Sequence, residues 1–165
     1  MEKKTLELTQ ILEKELFYHE RLLAAAQSMN AALKREAVDE VRTANKEYDE
    51  CTCQIEALEE KRLCVSDEIA LRLRLPAHAN LLRVIGALPK EGGARLLELR
   101  NRLRSTLGAL RKLNASNRIL LTESLYTIAK TFEFIAAASE KVSGYKHQGE
   151  KCVSKANRTI INTVA

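Results

Sequence analysis

The sequence predicts an all-α fold. The expected form is an elongated antiparallel hairpin of two long, coiled-coil-like helices, with a short connecting helix and a mobile C-terminal amphipathic helix. Three observations carry this. The 165-residue chain is 45% hydrophobic but only 4% aromatic and has no Trp, so its core must be built from Leu, Ala, Ile and Val, which suits helices packed side by side. Two prolines and six glycines leave long stretches unpunctuated. Apolar residues recur in steps of three and four over two of those stretches.

The first stretch runs from about Thr5 to Leu73. Leu8, Leu12, Leu16 and Leu23 form one stripe, Met29, Leu33, Ala37 and Val41 step by fours, and Val41, Ala44, Tyr48, Cys51, Ile55 and Leu58 form a heptad-like seam resumed at Val65 and Ile69. No Gly or Pro falls inside it. The change of step reads as a stutter in one continuous helix, a rod about 100 Å long at 1.5 Å per residue. Pro76 ends the rod or opens the next element. "PAHANLLRVIGAL" reads as a short helix with Leu81, Leu82, Ile85 and Leu88 on one side, and "PKEGG" (Pro89 to Gly93) as a turn. A second long helix is expected from about Ala94 to Ser139. Its stripe is Leu96, Leu99, Leu103, Leu107, Leu110 and Leu113, continued by Leu121, Leu125, Ile128, Phe132 and Ile135. Gly144 suits its C-terminal stop and Gly149 a second hinge. The organisation expected is therefore a hairpin domain over 1–143 and a hinge with an amphipathic tail over 144–165.

Charge supports the hairpin. Residues 1–70 hold ten Lys/Arg against sixteen Asp/Glu, and residues 71–165 hold seventeen against six. Folding Leu73 next to Ala94 sets Glu60 near Leu107 and Glu47 near Glu123 or a turn before it. The acidic block 47–60 then faces the basic block 95–118. Each exposed pair contributes only ~0.2–1 kcal/mol, but together they select a register.

Several functions are disfavoured. The longest uncharged stretch is "LLAAAQSMNAAL", 12 residues. A membrane span needs ~20, so a soluble, cytoplasmic protein without membrane insertion is expected. Cys51 and Cys53 point to opposite sides of a helix, Cys64 and Cys152 stand apart, and CxxC spacing is absent. Reduced thiols are expected rather than a metal site. His19, His78 and His147 are scattered, "EGGAR" follows no strand, and no HExxH occurs, so no catalytic residue, metal, cofactor or small-molecule substrate is expected. "RLLELRNRLRSTLGALRK" is basic enough to contact phosphates, but its leucines belong to the core stripe and its arginines have the acidic helix available. Nucleic-acid binding therefore ranks below protein binding. Asn114 and Asn117 share a helix face and interrupt the leucine stripe. They read either as a buried polar pair that fixes register or as a polar contact for a partner.

The order of these pieces resembles a known family. "LEKELFYHERLLAAAQSMNAAL" opens the chain, acidic heptads end in "LEEKR" (Leu58 to Arg62), and "NxxNxxLL" spans Asn114 to Leu121. A "YxxxG" turn from Tyr145 to Gly149 leads into the tail, with Lys146 where relatives often carry an acid. The chain is similar to the FlgN family of bacterial flagellar export chaperones over nearly its whole length. The resemblance implies a cytoplasmic, non-enzymatic protein. Such a protein would hold C-terminal helical segments of hook-associated (hook–filament junction) proteins and deliver them to the export-gate membrane protein of the flagellar type III system.

The tail fits a clamp. Val153, Ala156, Ile160 and Val164 step by three and four along a stretch of about 16 residues, too short to be helical alone in water. It either folds back on its own hairpin or closes over a client helix. The two glycines favour the second, with Tyr145 at the hinge available to the export gate. The expected state is a monomer or dimer. The alternatives are a self-assembling structural coiled-coil component of the export apparatus and a small basic nucleic-acid-binding protein.

Overall fold

The computed structural model of the protein describes residues 2–76 and 78–141, and the side chains of all of these but 90, 91 and 139–141. Among the described residues four helices follow one another: α1 (Glu2–Lys34), α2 (Val38–Arg72), α3 (Leu81–Ala87) and α4 (Lys90–Lys141). No strand occurs among the described residues. The chain divides into two compact units, residues 1–121 and residues 122–165. Tyr145, Val153, Ala156, Ile160 and Val164, and the expected tail as a whole, lie outside the described residues.

The all-α hairpin holds, but its two arms are α1 and α2. The expected continuous first helix is broken at residues 35–37. The Ala37 N–H donates to the Ala32 carbonyl (3.0 Å) and the Glu36 N–H to the Leu33 carbonyl (3.2 Å), with Glu36 at φ 57°. These are the two bonds of a Schellman stop, with Glu36 in the left-handed position that Gly usually fills. The sequence carries no Gly there, which is why the break reads as a stutter. The same device ends α2. Leu75 N–H reaches the Ala70 carbonyl, Arg74 N–H reaches the Leu71 carbonyl, and Arg74 sits at φ 56°, with Pro76 following. Here the proline marks the stop.

"PKEGG" is not a turn. Lys90 to Gly93 form the first turn of α4, and the Gly93 N–H donates to the Pro89 carbonyl at 2.9 Å. Its glycines serve close approach. A Cβ on Gly93 would lie 3.1 Å from the Ile85 carbonyl oxygen, and one on Gly92 would lie 3.3 Å from Thr5 Cγ2. Helix α3 is capped by Asn80, whose Oδ1 accepts from the Arg83 N–H at 2.9 Å.

Within residues 1–121, α1, α2 and the first part of α4 form a three-helix bundle. Its main core joins Leu8, Leu12 and Leu16 of α1, Leu58, Val65 and Ile69 of α2, Val84, Ile85 and Leu88 of the α3 region, and Leu96, Leu99 and Leu103 of α4. A second cluster holds Leu22, Ala26, Cys51, Ile55 and Leu110. A third holds Met29, Leu33 and Ala44, with Val41 and Leu120 against them. Directions follow from the partners. Glu13 pairs with Arg95 and Glu20 with Arg102, so α1 and α4 run parallel. Arg21 pairs with Glu47 and Lys4 with Glu68, so α2 runs antiparallel to α1 and hence to α4.

The charge pattern is therefore used differently from the expectation. Basic residues of α4 meet acids of α1, and acids of α2 meet basic residues of α1. Tyr48 meets Asn114, whereas the expected register sets Glu47 near residue 119 or 123. The insertion of α1 as a third helix, made possible by the break at Glu36, is the physical reason.

Candidate functional site

Among the described residues Glu15 is the acidic group held inside the bundle. Glu15 is 3% exposed, and its Oε1 accepts from Arg62 Nε at 2.9 Å. Burial pushes the Glu15 carboxyl above its ordinary value, and the Arg62 guanidinium offsets part of that rise. His19, one turn on, is also buried, and its Nδ1–H donates to the Glu15 carbonyl at 2.7 Å. This is an ion pair with a packed histidine, and the exposed Glu59 carboxylate lies 4.0 Å from Arg62 on its solvent side. Among the described residues no group of three or more His, Cys, Asp or Glu could hold a metal ion. Cys51 is buried, and burial pushes its thiol up, which makes it a core residue rather than a reactive one. Cys53 and Cys64 are exposed and free.

Asn114 and Asn117 are brought to the interior side of α4. Asn117 is buried. Its Oδ1 accepts from Asn30 Nδ2 at 2.7 Å, and its Nδ2 donates to the Ala26 carbonyl at 3.0 Å. Asn114 Nδ2 donates to the Tyr48 hydroxyl at 2.8 Å. No buried side-chain N or O atom is left without a partner among the described residues. Both amides are engaged in bonds that join three helices. That is the register-fixing arrangement, since a one-turn slip would strand four polar groups. Asn30 is the residue the sequence did not single out. It sits among alanines and Met29, and its pairing across 87 residues had no local signal.

The distal part of α4 has the opposite character. Leu125 is 65% exposed, Phe132 67%, and Ile128 and Ile135 more than half exposed. These four step by three and four, so they share one face and make about two heptads of bare coiled-coil seam. Tyr126 and Phe134 are exposed off that stripe, and Lys130 Nζ lies 5.7 Å from the Tyr126 ring centroid. The pattern is the one expected for a packed helix, but residues 125–135 show it to solvent. Exposed apolar area of this kind marks an interaction surface. No helix among the described residues is long and apolar enough to cross a membrane.

A bundle with a polar-pinned interior, and a helix that shows an apolar face among the described residues, define an all-helical, coiled-coil-like protein. The comparison with protein families gives it a place: the family model described as FlgN protein matches residues 1–151. The chain belongs to the FlgN family, which is a family of flagellar export chaperones and not of enzymes. The match takes in Tyr145 and stops short of Val153, Ala156, Ile160 and Val164. Neither a search of curated proteins nor a search of solved structures found a match.

Proposed function

We propose that the protein is a cytoplasmic chaperone that holds helical segments of hook-associated junction proteins and hands them to the export-gate membrane protein. The observation that carries this reading is the bare heptad seam of Leu125, Ile128, Phe132 and Ile135 on a chain of the FlgN family. An amphipathic client helix laid on that seam buries apolar area on both partners at ~25 cal/mol per Å². A client held this way is kept from self-association until export. Val153, Ala156, Ile160 and Val164 close over the client from the other side, and Tyr145 docks on the gate. The bundle of residues 1–121 is the rigid holder, and Asn114 and Asn117 act through it.

The test is titration calorimetry of the full chain with a C-terminal helical segment of a junction protein. Leu125→Glu with Phe132→Glu is expected to weaken binding by at least about tenfold, and truncation after Lys141 to weaken it further. Unchanged affinity in both variants would reject the reading. The same seam also suits a second copy of the chain, as a structural coiled-coil component would require. Sedimentation without client separates the two, because self-assembly grows with concentration and a client-binding monomer or dimer stays fixed.

A further inference from the structure

A second concave surface lies on the bundle itself, within residues 1–121. It is a groove of about 380 Å³ bordered by α1, α2 and α4. Its floor is apolar, with Leu12, Leu103 and Leu107, and the buried Glu15–Arg62 pair closes one side. Its rim is basic. Arg100, Arg104 and Arg111 stand at i, i+4 and i+11 on one face of α4, opposite Glu59. Among the described residues Arg104 and Arg111 make no hydrogen bond or ion pair, while Arg95 and Arg102 of the same helix are paired with acids.

Gly108 stands between these arginines in the groove wall. A Cβ built on it meets no heavy atom within 4 Å, and its backbone is ordinary helix. Nothing in the fold therefore requires glycine there, although glycine weakens a helix interior. What it leaves is a smooth stretch of groove flanked by unpaired cations, where an incoming chain can approach closely.

We infer that this groove is a docking site for an acidic amphipathic segment of a partner protein, separate from the distal seam of α4 and independent of the reading given for it. Carboxylates about two turns apart on the segment would meet Arg104 and Arg111, and its apolar side chains would rest on Leu103 and Leu107. The arginine fork suits bidentate carboxylate contacts. Arg100 to Arg111 span about 16 Å of helix axis, enough for about three turns of a docked helix. A nucleic-acid strand would also find the cations, but the groove lining contains no Phe, Tyr or Trp, its imidazole, His19, is itself buried, and its leucine floor favours peptide side chains.

The test is fluorescence anisotropy with the full chain. The probe is a labelled Leu/Glu amphipathic peptide of about 14 residues, three to four helical turns. Its Glu→Gln version and a single-stranded RNA oligonucleotide serve as competitors. Binding of the acidic peptide is expected to be salt-dependent and about tenfold tighter than that of the Gln version. It should be lost in Arg104→Glu with Arg111→Glu. It should also be lost in Gly108→Leu, which fills the groove while improving helix propensity, so loss of fold cannot account for the result. Leu125→Glu with Phe132→Glu should leave it intact. No binding by the wild-type chain, equal binding of the Gln peptide, retention by Gly108→Leu, or displacement by RNA in preference to peptide would each overturn the assignment.

Discussion

The two parts of α4 share one pattern and have two fates. From Leu96 to Leu110 the stripe leucines are buried at 96, 99, 103 and 110 and half-buried at 107, with Leu96 at 0% and Leu99 at 1% exposure. From Leu125 to Ile135 the same steps are more than half exposed. Helices α1 (33 residues) and α2 (35) are too short to flank all 52 residues of α4. A heptad stripe states that a helix has an apolar face. It does not state whose side chains cover that face. In the first part the cover comes from the same chain and gives stability. In the second the face stays exposed, and the function proposed for the chain has a client helix cover it.

The sharpest way to break this comparison is to truncate one leucine in each part. Leu99→Ala should destabilise the protein by about 3–4 kcal/mol in urea unfolding, the range for a fully buried leucine. Phe132→Ala should change it by less than about 0.5 kcal/mol. Equal losses would mean that the distal face is core after all.

Next in size is the buried pair. Arg62→Met leaves Glu15 charged and unpartnered, and should cost about 3 kcal/mol near neutral pH. The Glu15 carboxyl is already raised above its ordinary 4.5, and losing Arg62 raises it further. A raised carboxyl means that the folded state favours the proton. The contribution is intact below about pH 4.5 and is lost as pH rises through the folded value. The destabilisation by Arg62→Met should therefore shrink when unfolding is repeated near pH 4. A loss independent of pH would mean that Arg62 serves by packing alone.

A smaller effect is expected at the amide network. Asn117→Leu would remove the 2.7 Å partner of the buried Asn30 amide and leave it the longer 3.4 Å contact with Ser116 Oγ, at a cost of about 2 kcal/mol. Replacing Asn30 and Asn117 together by leucine should recover part of that loss and loosen register, seen as broadened amide signals. The smallest effect has the opposite sign. Glu36→Gly removes a left-handed non-glycine residue at the α1–α2 stop and should raise stability by about 1 kcal/mol. A decrease would mean that the Glu36 side chain does more than turn the chain.

Much of this was legible in the sequence, in ways that depend on where each signal resides. Leucine spacing showed the helices, because a period of three to four is a local property. Pro76 announced the end of α2 for the same reason. The stop at Glu36 was hidden, because a Schellman motif is written in backbone bonds and the usual glycine is missing. Gly92 and Gly93 misled in the other direction, since close approach to Ile85 and Thr5 is a tertiary need that looks like turn chemistry. Asn114 and Asn117 were singled out as a break in the stripe, but their partners Tyr48, Asn30 and Ala26 depend on the third helix. The distal seam is visible as a continuation of the stripe, but its exposure is not, because sequence periodicity carries no information about cover.

The measurement that addresses the central claim most directly is hydrogen exchange on the full chain, with and without a junction-protein helix. Amides of 96–117 are read against those of 122–141. The account predicts slow exchange at 96–117 in both states and a gain in protection at 122–141 when the helix is added. Added protection confined to 96–117, or none in either segment under saturating helix, would contradict it.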